Sequence, residues 1–156
     1  MEARLNAFTN PGLAKVLKHF IAASHALHGS SLPAEVQHLV EIRASQINGC
    51  GYCLDMHTKD ATADGMSQQR INLVGAWREA TVYSEPERAA LELTEAATRL
   101  SDSAGVSDEV WENAAKHFDE EQRGALVAAI ALINAFNRTN VITRQPAGDY
   151  VPGQFA

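Results

Sequence analysis

Cysteine is scarce in this sequence: its 156 residues contain two, Cys50 and Cys53. The N-terminus, MEARLNAFTNPG, also lacks the basic region and apolar core of a secretory signal, so we expect a cytoplasmic protein. Proteins that are not exported seldom use disulfides as structural staples. The two close cysteines are therefore expected to be redox-active or metal-binding residues.

Basic residues and long apolar runs are also in short supply. Asp and Glu number 19 against 13 Lys and Arg, which gives a formal net charge of −6. This charge argues against nucleic-acid binding, which normally needs a basic face. No apolar run approaches the ~20 residues that span a bilayer, so we expect no membrane association. The length suits one domain, 1–156, with a sizeable core.

Alternation of apolar and polar residues, the mark of a half-buried strand, is missing throughout. We therefore predict an all-α fold of about six to seven helices. Three helix starts carry clear caps: Asn10-Pro11, Ser84-Glu85-Pro86-Glu87 and Asp119-Glu120-Glu121-Gln122. The predicted segments are 11–27, 33–48, 50–65, 68–80, 85–100, 108–118 and 120–139. An irregular arm, 143–156, follows; its apolar residues Tyr150, Val151 and Phe155 can dock on the same domain or on a neighbouring subunit.

Helical spacing also predicts which side chains are buried. The predicted core face of the first helix consists of Leu13, Val16, Leu17, Phe20, Ile21 and Ser24. The seventh helix is apolar over a wide arc, which suits a central helix or a subunit interface. Its polar exceptions, Asn134 and Asn137, are expected to hold a neighbouring helix end or a partner chain. Arg43 and Gln46 are candidates for core hydrogen bonds or for a cavity wall, and Trp77 for the core or for a roof over the site.

The two cysteines form a C-x-x-C pair within the stretch 43–61, RASQINGCGYCLDMHTKDA. Asn48-Gly49 is expected to end one helix, because both residues tolerate left-handed geometry. The next helix then begins at about Cys50. On it, Cys50, Cys53 and His57 follow the i, i+3, i+7 spacing and share one face near the helix N-terminus.

This arrangement suits thiol chemistry. A helix N-terminus and a protonated imidazole both favour the nucleophilic thiolate over the thiol. Residues i and i+3 of a helix lie ~5–6 Å apart, within the Cα separation that a disulfide spans. The cysteines can therefore cycle between dithiol and disulfide with little backbone movement. His57, one turn past Cys53, can act as base or acid.

Other interpretations of the same residues stay open. The C-x-x-C pair is half of a zinc site if His57 and a second histidine complete four ligands, although no second C-x-x-C exists. The cysteines can also be inert core residues, and a lone histidine at helical spacing is often only a helix residue with satisfied hydrogen bonds. The shared face of the three side chains favours a functional site.

The run S-Q-I-N-G-C-x-Y-C-x-D-M-H resembles the active-site signature of alkylhydroperoxidase D (AhpD)-like proteins, within the carboxymuconolactone decarboxylase superfamily. Looser similarity covers about 39–80 and 133–138. The resemblance implies a helical bundle, assembly into homo-oligomers such as trimers or hexamers, and a thiol-based antioxidant activity. It also implies that Cys53 attacks the peroxide, that Cys50 resolves the sulfenic acid, and that His57 belongs to a proton relay.

One position departs from the family pattern. A glutamate usually lies twelve residues before the first cysteine, as the far end of the relay, and this chain has His38 there. Glu35 and Glu41 lie about one turn to either side, but each is rotated by roughly 60° around the helix. Histidine, with an ordinary pKa near ~6.5, can carry protons, so His38 is the candidate for the far end. Otherwise the relay is broken and peroxide chemistry is slow or absent.

Four functions are consistent with these observations. The leading hypothesis is a thiol-dependent peroxidase that is reduced by an external dithiol or by a thioredoxin-like or lipoyl partner, without cofactor or metal. The second is a general disulfide oxidoreductase. The third is a lyase acting on a carboxylated lactone, as the superfamily name suggests, which leaves the cysteines without a role. The fourth is a redox-sensing or binding oligomer without turnover.

Overall fold

The computed structural model describes residues 2–102 and 104–154. Its regular structure consists of seven α-helices and one 3₁₀ helix, and the described residues contain no strand. The α-helices are α1 Pro11–His28, α2 Ala34–Asn48, α3 Gly51–Ala63, α4 Gln68–Leu73, α5 Glu85–Thr98, α6 Asp108–Ala115 and α7 Glu120–Thr143. The 3₁₀ helix, Val74–Ala76, directly follows α4. The prediction of an all-α fold is confirmed.

The predicted caps begin the helices where the sequence places them. The Asn10 side chain accepts a hydrogen bond from the backbone N–H of Leu13 and so satisfies a free donor of α1. Both predicted capping boxes are present: Ser84 with Glu87 at α5, and Asp119 with Gln122 at α7.

The fourth helix is shorter than predicted, because α4 ends at Leu73 rather than near residue 80. The chain then turns through the 3₁₀ helix, which leaves several carbonyl groups without helical partners. The Arg88 guanidinium donates to three of them, the carbonyls of Trp77, Arg78 and Ala80. A long-range side chain thus stabilises a turn that local spacing cannot predict.

The centre of the bundle is α2, which packs against α3, α5 and α7. Leu39, Val40 and Ile42 of α2 are completely buried. One apolar cluster joins α2 to α5, α6 and α7 and includes both cysteines, and a second lies between α2, α4 and α5. The cysteines therefore sit inside the main core rather than at its edge.

The first helix is more exposed than its apolar spacing predicts. Of the predicted core face, Leu17 alone is buried, and Val16 is 48% exposed. The helix lies against α7, where the rings of Phe20 and Phe136 meet edge to face at 5.6 Å. The prediction of a buried face on α1 is therefore wrong for most of its residues, because α1 rests on one neighbouring helix and its apolar stripe is not enclosed.

The seventh helix is the one described helix that is long and apolar enough to cross a membrane by length and composition. The expectation that no apolar stretch approaches membrane-spanning length did not include this helix. Such a helix is weak evidence of membrane insertion, because α7 packs against α1, α2, α3, α5 and α6. Its buried polar residues Asn134 and Asn137 also form hydrogen bonds within the bundle.

The C-terminal arm begins after α7 ends at Thr143, four residues beyond the predicted end of that helix, and it packs on α3 of its own chain. The Lys59 ammonium donates to the carbonyls of Gly148 and Tyr150, at 3.0 and 2.8 Å. The Tyr150 hydroxyl contacts the Asp60 carboxylate at 2.9 Å. Of the two predicted docking modes, the described arm therefore uses its own domain; Phe155 lies outside the described residues.

Candidate active site

The turn between α2 and α3 places the first cysteine at the start of α3. Gly49 has a φ of 65°, the left-handed geometry that ends α2 without a Cβ clash. Cys50 is the N-cap of α3, and its sulfur accepts from the backbone N–H of Cys53 at 3.3 Å. Both sulfurs therefore lie at the positive end of the α3 dipole, which favours negative charge.

The two cysteines form a disulfide with a Cα–Cα distance of 5.4 Å. Cys50 is 1% exposed and Cys53 is completely buried. The pair is therefore shielded from large reagents, and a reactant must reach it through the interior.

A cluster of amide side chains fixes the end of α2 against α7. The Asn48 amide donates to Asn134 and Asn137, both at 2.9 Å, and Asn137 donates to the Ser45 hydroxyl at 3.0 Å. The prediction that Asn134 and Asn137 hold a neighbouring helix end or a partner chain is confirmed for the helix end. These bonds set the position of the turn that presents Cys50.

Asn140, near the end of α7, also reaches the cysteines. Its side-chain amide donates to the Cys53 sulfur at 3.4 Å, and the residue lines the main cavity. Sequence reasoning missed Asn140, because a contact between residues 87 positions apart leaves no local signal. Asn140 therefore connects the cavity wall to Cys53, although neither cysteine is among the described residues that line the cavity.

His57 forms a buried pair with Glu41 of α2. The distance from His57 Nδ1 to Glu41 Oε2 is 3.0 Å, and the two side chains are 11% and 14% exposed. Burial alone raises the pKa of Glu41 and lowers that of His57. The mutual charge attraction and the hydrogen bond outweigh burial, so the pKa of Glu41 lies below its ordinary 4.5 and the pKa of His57 above its ordinary 6.5. Between pH 4.5 and pH 6.5, both residues are therefore charged and form an ion pair.

His38 has a different partner. Its Nε2 lies 2.8 Å from Asp64 Oδ2, just beyond the end of α3. Each of the two histidines keeps one ring nitrogen, His38 Nδ1 and His57 Nε2, that is buried and has no hydrogen-bond partner among the described residues. His38, His57, Glu41 and Asp64 all line one cavity of about 490 Å³.

Arg43 and Trp77 belong to the protein core and not to this cavity. Arg43 Nε donates to Glu95 Oε1 at 2.7 Å, and the Trp77 indole N–H donates to the same oxygen at 3.0 Å. Gln46 accepts from Arg43 at 2.9 Å. Of the two roles considered for each residue, the structure shows core hydrogen bonding.

Comparison with known proteins gives the family. The model of the carboxymuconolactone decarboxylase family matches residues 11–96, more than half of the chain. The chain belongs to this family. Uncharacterized protein YdfG of Bacillus subtilis (strain 168) is 46% identical over 112 residues, which cover 72% of this chain and 76% of YdfG.

Solved structures with the same fold include ATU0492 of Agrobacterium tumefaciens, a protein of unknown function for which a role in antioxidant defence as AhpD has been suggested. It has a TM-score of 0.89, with 35% identity, over 96% of this chain and 100% of that chain. An uncharacterized peroxidase-related protein of Silicibacter sp. TM1040 has a TM-score of 0.78 over 92% and 75% of the two chains. At 22% identity, it shows the fold alone.

In this carboxymuconolactone decarboxylase family member, the carboxylate on His57 comes from Glu41 and not from the position that His38 occupies. From the helical rotation of Glu41, we expected His38 to be the candidate for the far end of the proton relay. The structure instead pairs His57 with Glu41 and pairs His38 with Asp64. A rotation of about 60° is small beside the reach of a glutamate side chain, and the packing of α3 on α2 brings His57 over Glu41. The spacing of residues along α2 gives no information about how α3 packs on it.

The zinc interpretation finds no additional ligands. Within residues 2–102 and 104–154, no group of three or more His, Cys, Asp and Glu side chains has the arrangement of a metal site. The nearest imidazole on α3, His57, is instead engaged with Glu41.

Proposed function

We propose that this protein is a thiol-dependent peroxidase in which Cys53 attacks the peroxide and Cys50 resolves the product. The observation that carries the proposal is the combination, on α3, of a closed Cys50–Cys53 pair at the helix N-terminus with the buried His57–Glu41 ion pair one turn beyond. Once reduced to the dithiol, the cysteine pair supplies the two electrons that reduce the peroxide, and the His57–Glu41 pair supplies a proton.

The first step is nucleophilic attack on the terminal peroxide oxygen. The Cys53 thiolate forms an S–O bond while the O–O bond breaks, which yields sulfenic acid and an alkoxide. The His57 imidazolium, whose pKa is raised by the Glu41 charge despite burial, gives its proton to the alkoxide. Glu41 holds the ring in place through Nδ1, so that Nε2 is the nitrogen that donates.

The second step closes the disulfide. Cys50 attacks the Cys53 sulfur, the S–O bond breaks, and the Cys50 proton leaves with the hydroxyl group as water, with His57 as the carrier. Two thiols and one hydroperoxide thus become one disulfide, one alcohol and one water. An external dithiol, such as a thioredoxin-like or lipoyl partner, then reduces the disulfide by exchange and becomes oxidised itself.

Asn140 supports the assignment of Cys53 as the attacking cysteine. It donates to the Cys53 sulfur and lines the cavity, so it connects the space in which a peroxide would bind with Cys53. Hydrogen bonds to charged acceptors are stronger than those to neutral ones, so this bond stabilises the thiolate more than the thiol. Cys50 instead caps α3 and accepts a hydrogen bond from the backbone N–H of Cys53.

The suggested antioxidant role of ATU0492, which is 35% identical to this chain, is consistent with peroxide chemistry. General disulfide exchange is the second candidate, and it uses the same cysteines. The two candidates differ in the oxidant, which is a hydroperoxide in the first and a disulfide in the second. A lactone lyase leaves the cysteine pair without a role.

The test compares two oxidants on the reduced protein with thiols counted before and after. Fast loss of two thiols with a small alkyl hydroperoxide, and slow loss with a model disulfide, supports the peroxidase. Faster thiol loss with the model disulfide than with the hydroperoxide supports disulfide exchange instead. Slow loss with both oxidants, together with a change in assembly state on oxidation, supports a redox sensor.

We further propose that the chain assembles into a homo-oligomer such as a trimer or hexamer, in the cytoplasm. The motivating feature is the apolar surface that one chain leaves open on α1 and α7, where Val16, Val127 and Ile142 are 48%, 46% and 67% exposed. Light scattering with wild type and Ile142→Lys tests this proposal: a smaller particle is expected for the variant, and a monomeric wild type contradicts it.

A further inference from the structure

The C-terminal arm lies along α3, from the first turn of that helix to its middle. The Ala147 Cβ is 3.6 Å from the position that a Cβ on Gly51 would occupy. One helical turn further on, the Asp55 carboxylate accepts from the backbone N–H groups of Gly148 and Tyr150, at 2.9 and 3.2 Å. The arm is therefore attached at several points and is not a free tail.

Two charged side chains of α3, Asp55 and Lys59, hold the arm by its backbone, and we call them the latch. Lys59 donates to two carbonyl groups of the arm, and Asp55 accepts from two of its N–H groups. The two charges also pair with each other, because Lys59 Nζ lies 2.8 Å from Asp55 Oδ1. None of the bonds to the arm lies within a helix, so the arm can detach from the latch without the unwinding of any helix.

The inner side of the arm is part of the wall of the main cavity, which has a volume of about 490 Å³. Tyr150, Pro152 and Gly153 line the cavity from the arm, and Tyr150 is 8% exposed. The outer side of the arm faces solvent, since Val151 is 63% exposed and Ala147 is also exposed. A strip of chain with a cavity on one side and solvent on the other has the position of a lid.

Pro152 also borders a second space, a depression beside α3. This depression shares Ala63 and Pro152 with the main cavity, and its other lining residues are Thr58, Lys59, Thr62 and Gln68. Ala63 and Pro152 therefore lie between the two spaces. Movement of Pro152 with the arm would join the depression to the main cavity and open the cavity along α3.

The arm begins at a turn that suits a hinge. Arg144, which ends α7, has a left-handed φ of 55°, and Gly148 has a φ of 122°. Between Thr143 and Tyr150, which are both buried, every residue is at least partly exposed. Segments with few buried contacts open at a lower free-energy cost than the core. We therefore expect the arm to open while the helical bundle stays folded.

We propose that the C-terminal arm is a hinged lid on the main cavity, and that its release from Asp55 and Lys59 admits solutes to the interior. Tyr150 is the buried side chain that the lid withdraws when it opens. Asn140, which donates to the Cys53 sulfur, lines the same cavity, so an open lid exposes a wall residue that contacts the cysteine pair. The inference does not depend on the proposed peroxidase, because it concerns access to the cavity alone.

A buried reporter thiol measures this access. Ala129 of α7 lines the cavity and is 4% exposed, so Ala129→Cys places one free thiol on the inner wall. The reagent is N-ethylmaleimide, which does not react with the Cys50–Cys53 disulfide, and mass spectrometry verifies that this bond stays intact. Val127→Cys, at a position that is 46% exposed, supplies the reference thiol. The Ala129→Cys thiol should react at least about tenfold more slowly than the reference, because the reagent must wait for the lid to open.

The latch variants test whether the arm is what the reagent waits for. Lys59→Met should raise the labelling rate of Ala129→Cys several-fold and leave that of Val127→Cys unchanged. Asp55→Ala, which deletes the acceptor of two N–H groups of the arm, should have the same effect. Lys116→Met, exposed at the end of α6, should change neither rate. If one latch variant fails to fold, the other decides.

Trypsin cleavage after Arg144 reports separately whether the arm has detached. Cleavage and labelling that rise together in the latch variants support the lid. Faster cleavage with unchanged labelling of Ala129→Cys overturns the inference, because the arm then opens without opening the cavity. Labelling of Ala129→Cys that is as fast as labelling of Val127→Cys also overturns it, since the cavity is then accessible while the arm is attached. Unchanged cleavage and unchanged labelling in both latch variants overturn the role of the latch and with it the inference.

Discussion

Asn140 and Cys53 are 87 positions apart in the sequence, yet the Asn140 amide donates to the Cys53 sulfur at 3.4 Å. A neutral sulfur is a weak acceptor and a thiolate a much stronger one. The bond therefore gains strength when the disulfide is reduced and Cys53 ionises. It links the C-terminal part of α7, which the family model does not cover, to the reactive end of α3.

Replacing Asn140 by alanine should therefore raise the pKa of the Cys53 thiol in the reduced protein. Loss of one hydrogen bond to a charged group, ~1.5 kcal/mol, corresponds to about one pKa unit. Ultraviolet thiolate absorbance against pH measures this shift. Asn72→Ala, at an exposed position of α4, is the control and should leave the titration unchanged. A Cys53 titration that is the same in Asn140→Ala and wild type would show that the contact has no electrostatic effect.

Glu41→Gln should lower the pKa of His57, because the ring loses the negative charge that opposes its burial. Chemical-shift titration of the His57 ring measures this change. Glu35→Gln, on the same helix but largely exposed, serves as the matched control. A His57 pKa that does not move in Glu41→Gln would exclude the ion pair as the source of its raised value.

The same pair makes folding stability depend on pH. The pKa of His57 is raised on folding, so its contribution is complete below 6.5 and is lost as pH rises through the raised value. The pKa of Glu41 is lowered, so its contribution is complete above 4.5 and is lost as pH falls through the lowered value. The free energy of unfolding of wild type should exceed that of Glu41→Gln by on the order of 1–3 kcal/mol. The difference should be largest between pH 4.5 and pH 6.5, where both contributions are complete. Urea unfolding across pH checks this, and a pH-independent difference contradicts it.

The sequence predicted the parts of this structure that depend on local chemistry. The caps at Asn10, Ser84 and Asp119 and the left-handed Gly49 act within a few residues, so their signals are readable from the chain. The C-x-x-C spacing likewise predicted a pair close enough for a disulfide, and Cys50 and Cys53 form one.

Contacts between helices were the part that the sequence could not supply. The Glu41–His57 pair depends on how α3 packs on α2, and periodicity along either helix does not contain that packing. The apolar stripe of α1 was predicted to be core, but spacing shows only that residues share a face, not that another surface covers it. The early end of α4 depends on the Arg88 side chain, which comes from α5.

The amide cluster at the end of α2 should be a strong determinant of stability. Asn48→Ala removes the donor to Asn137 Oδ1, which lies in a completely buried residue. A buried acceptor that loses its partner costs ~1–3 kcal/mol, so the free energy of unfolding should fall by about that amount. Chemical denaturation measures it, again with Asn72→Ala as control. Equal stability of wild type and Asn48→Ala would show that the cluster does not hold the turn.

The C-terminal arm should loosen when its attachment to α3 is removed. Lys59→Met keeps the apolar stem of the side chain and deletes the ammonium that binds the carbonyls of Gly148 and Tyr150. Trypsin should then cut after Arg144 several-fold faster than in wild type, because cleavage follows local opening. Lys116→Met, exposed at the end of α6, should not change the rate. An unchanged rate in Lys59→Met would mean that other contacts hold the arm.

The identity of the attacking sulfur tests the central claim most directly. Reduced Cys50→Ser lacks the resolving thiol, so one equivalent of cumene hydroperoxide should leave a sulfenic acid on Cys53, trapped by dimedone and located by mass spectrometry. Reduced Cys53→Ser should give no rapid adduct on Cys50. Rapid adduct formation at Cys50 in Cys53→Ser, or no adduct at Cys53 in Cys50→Ser, would contradict the account.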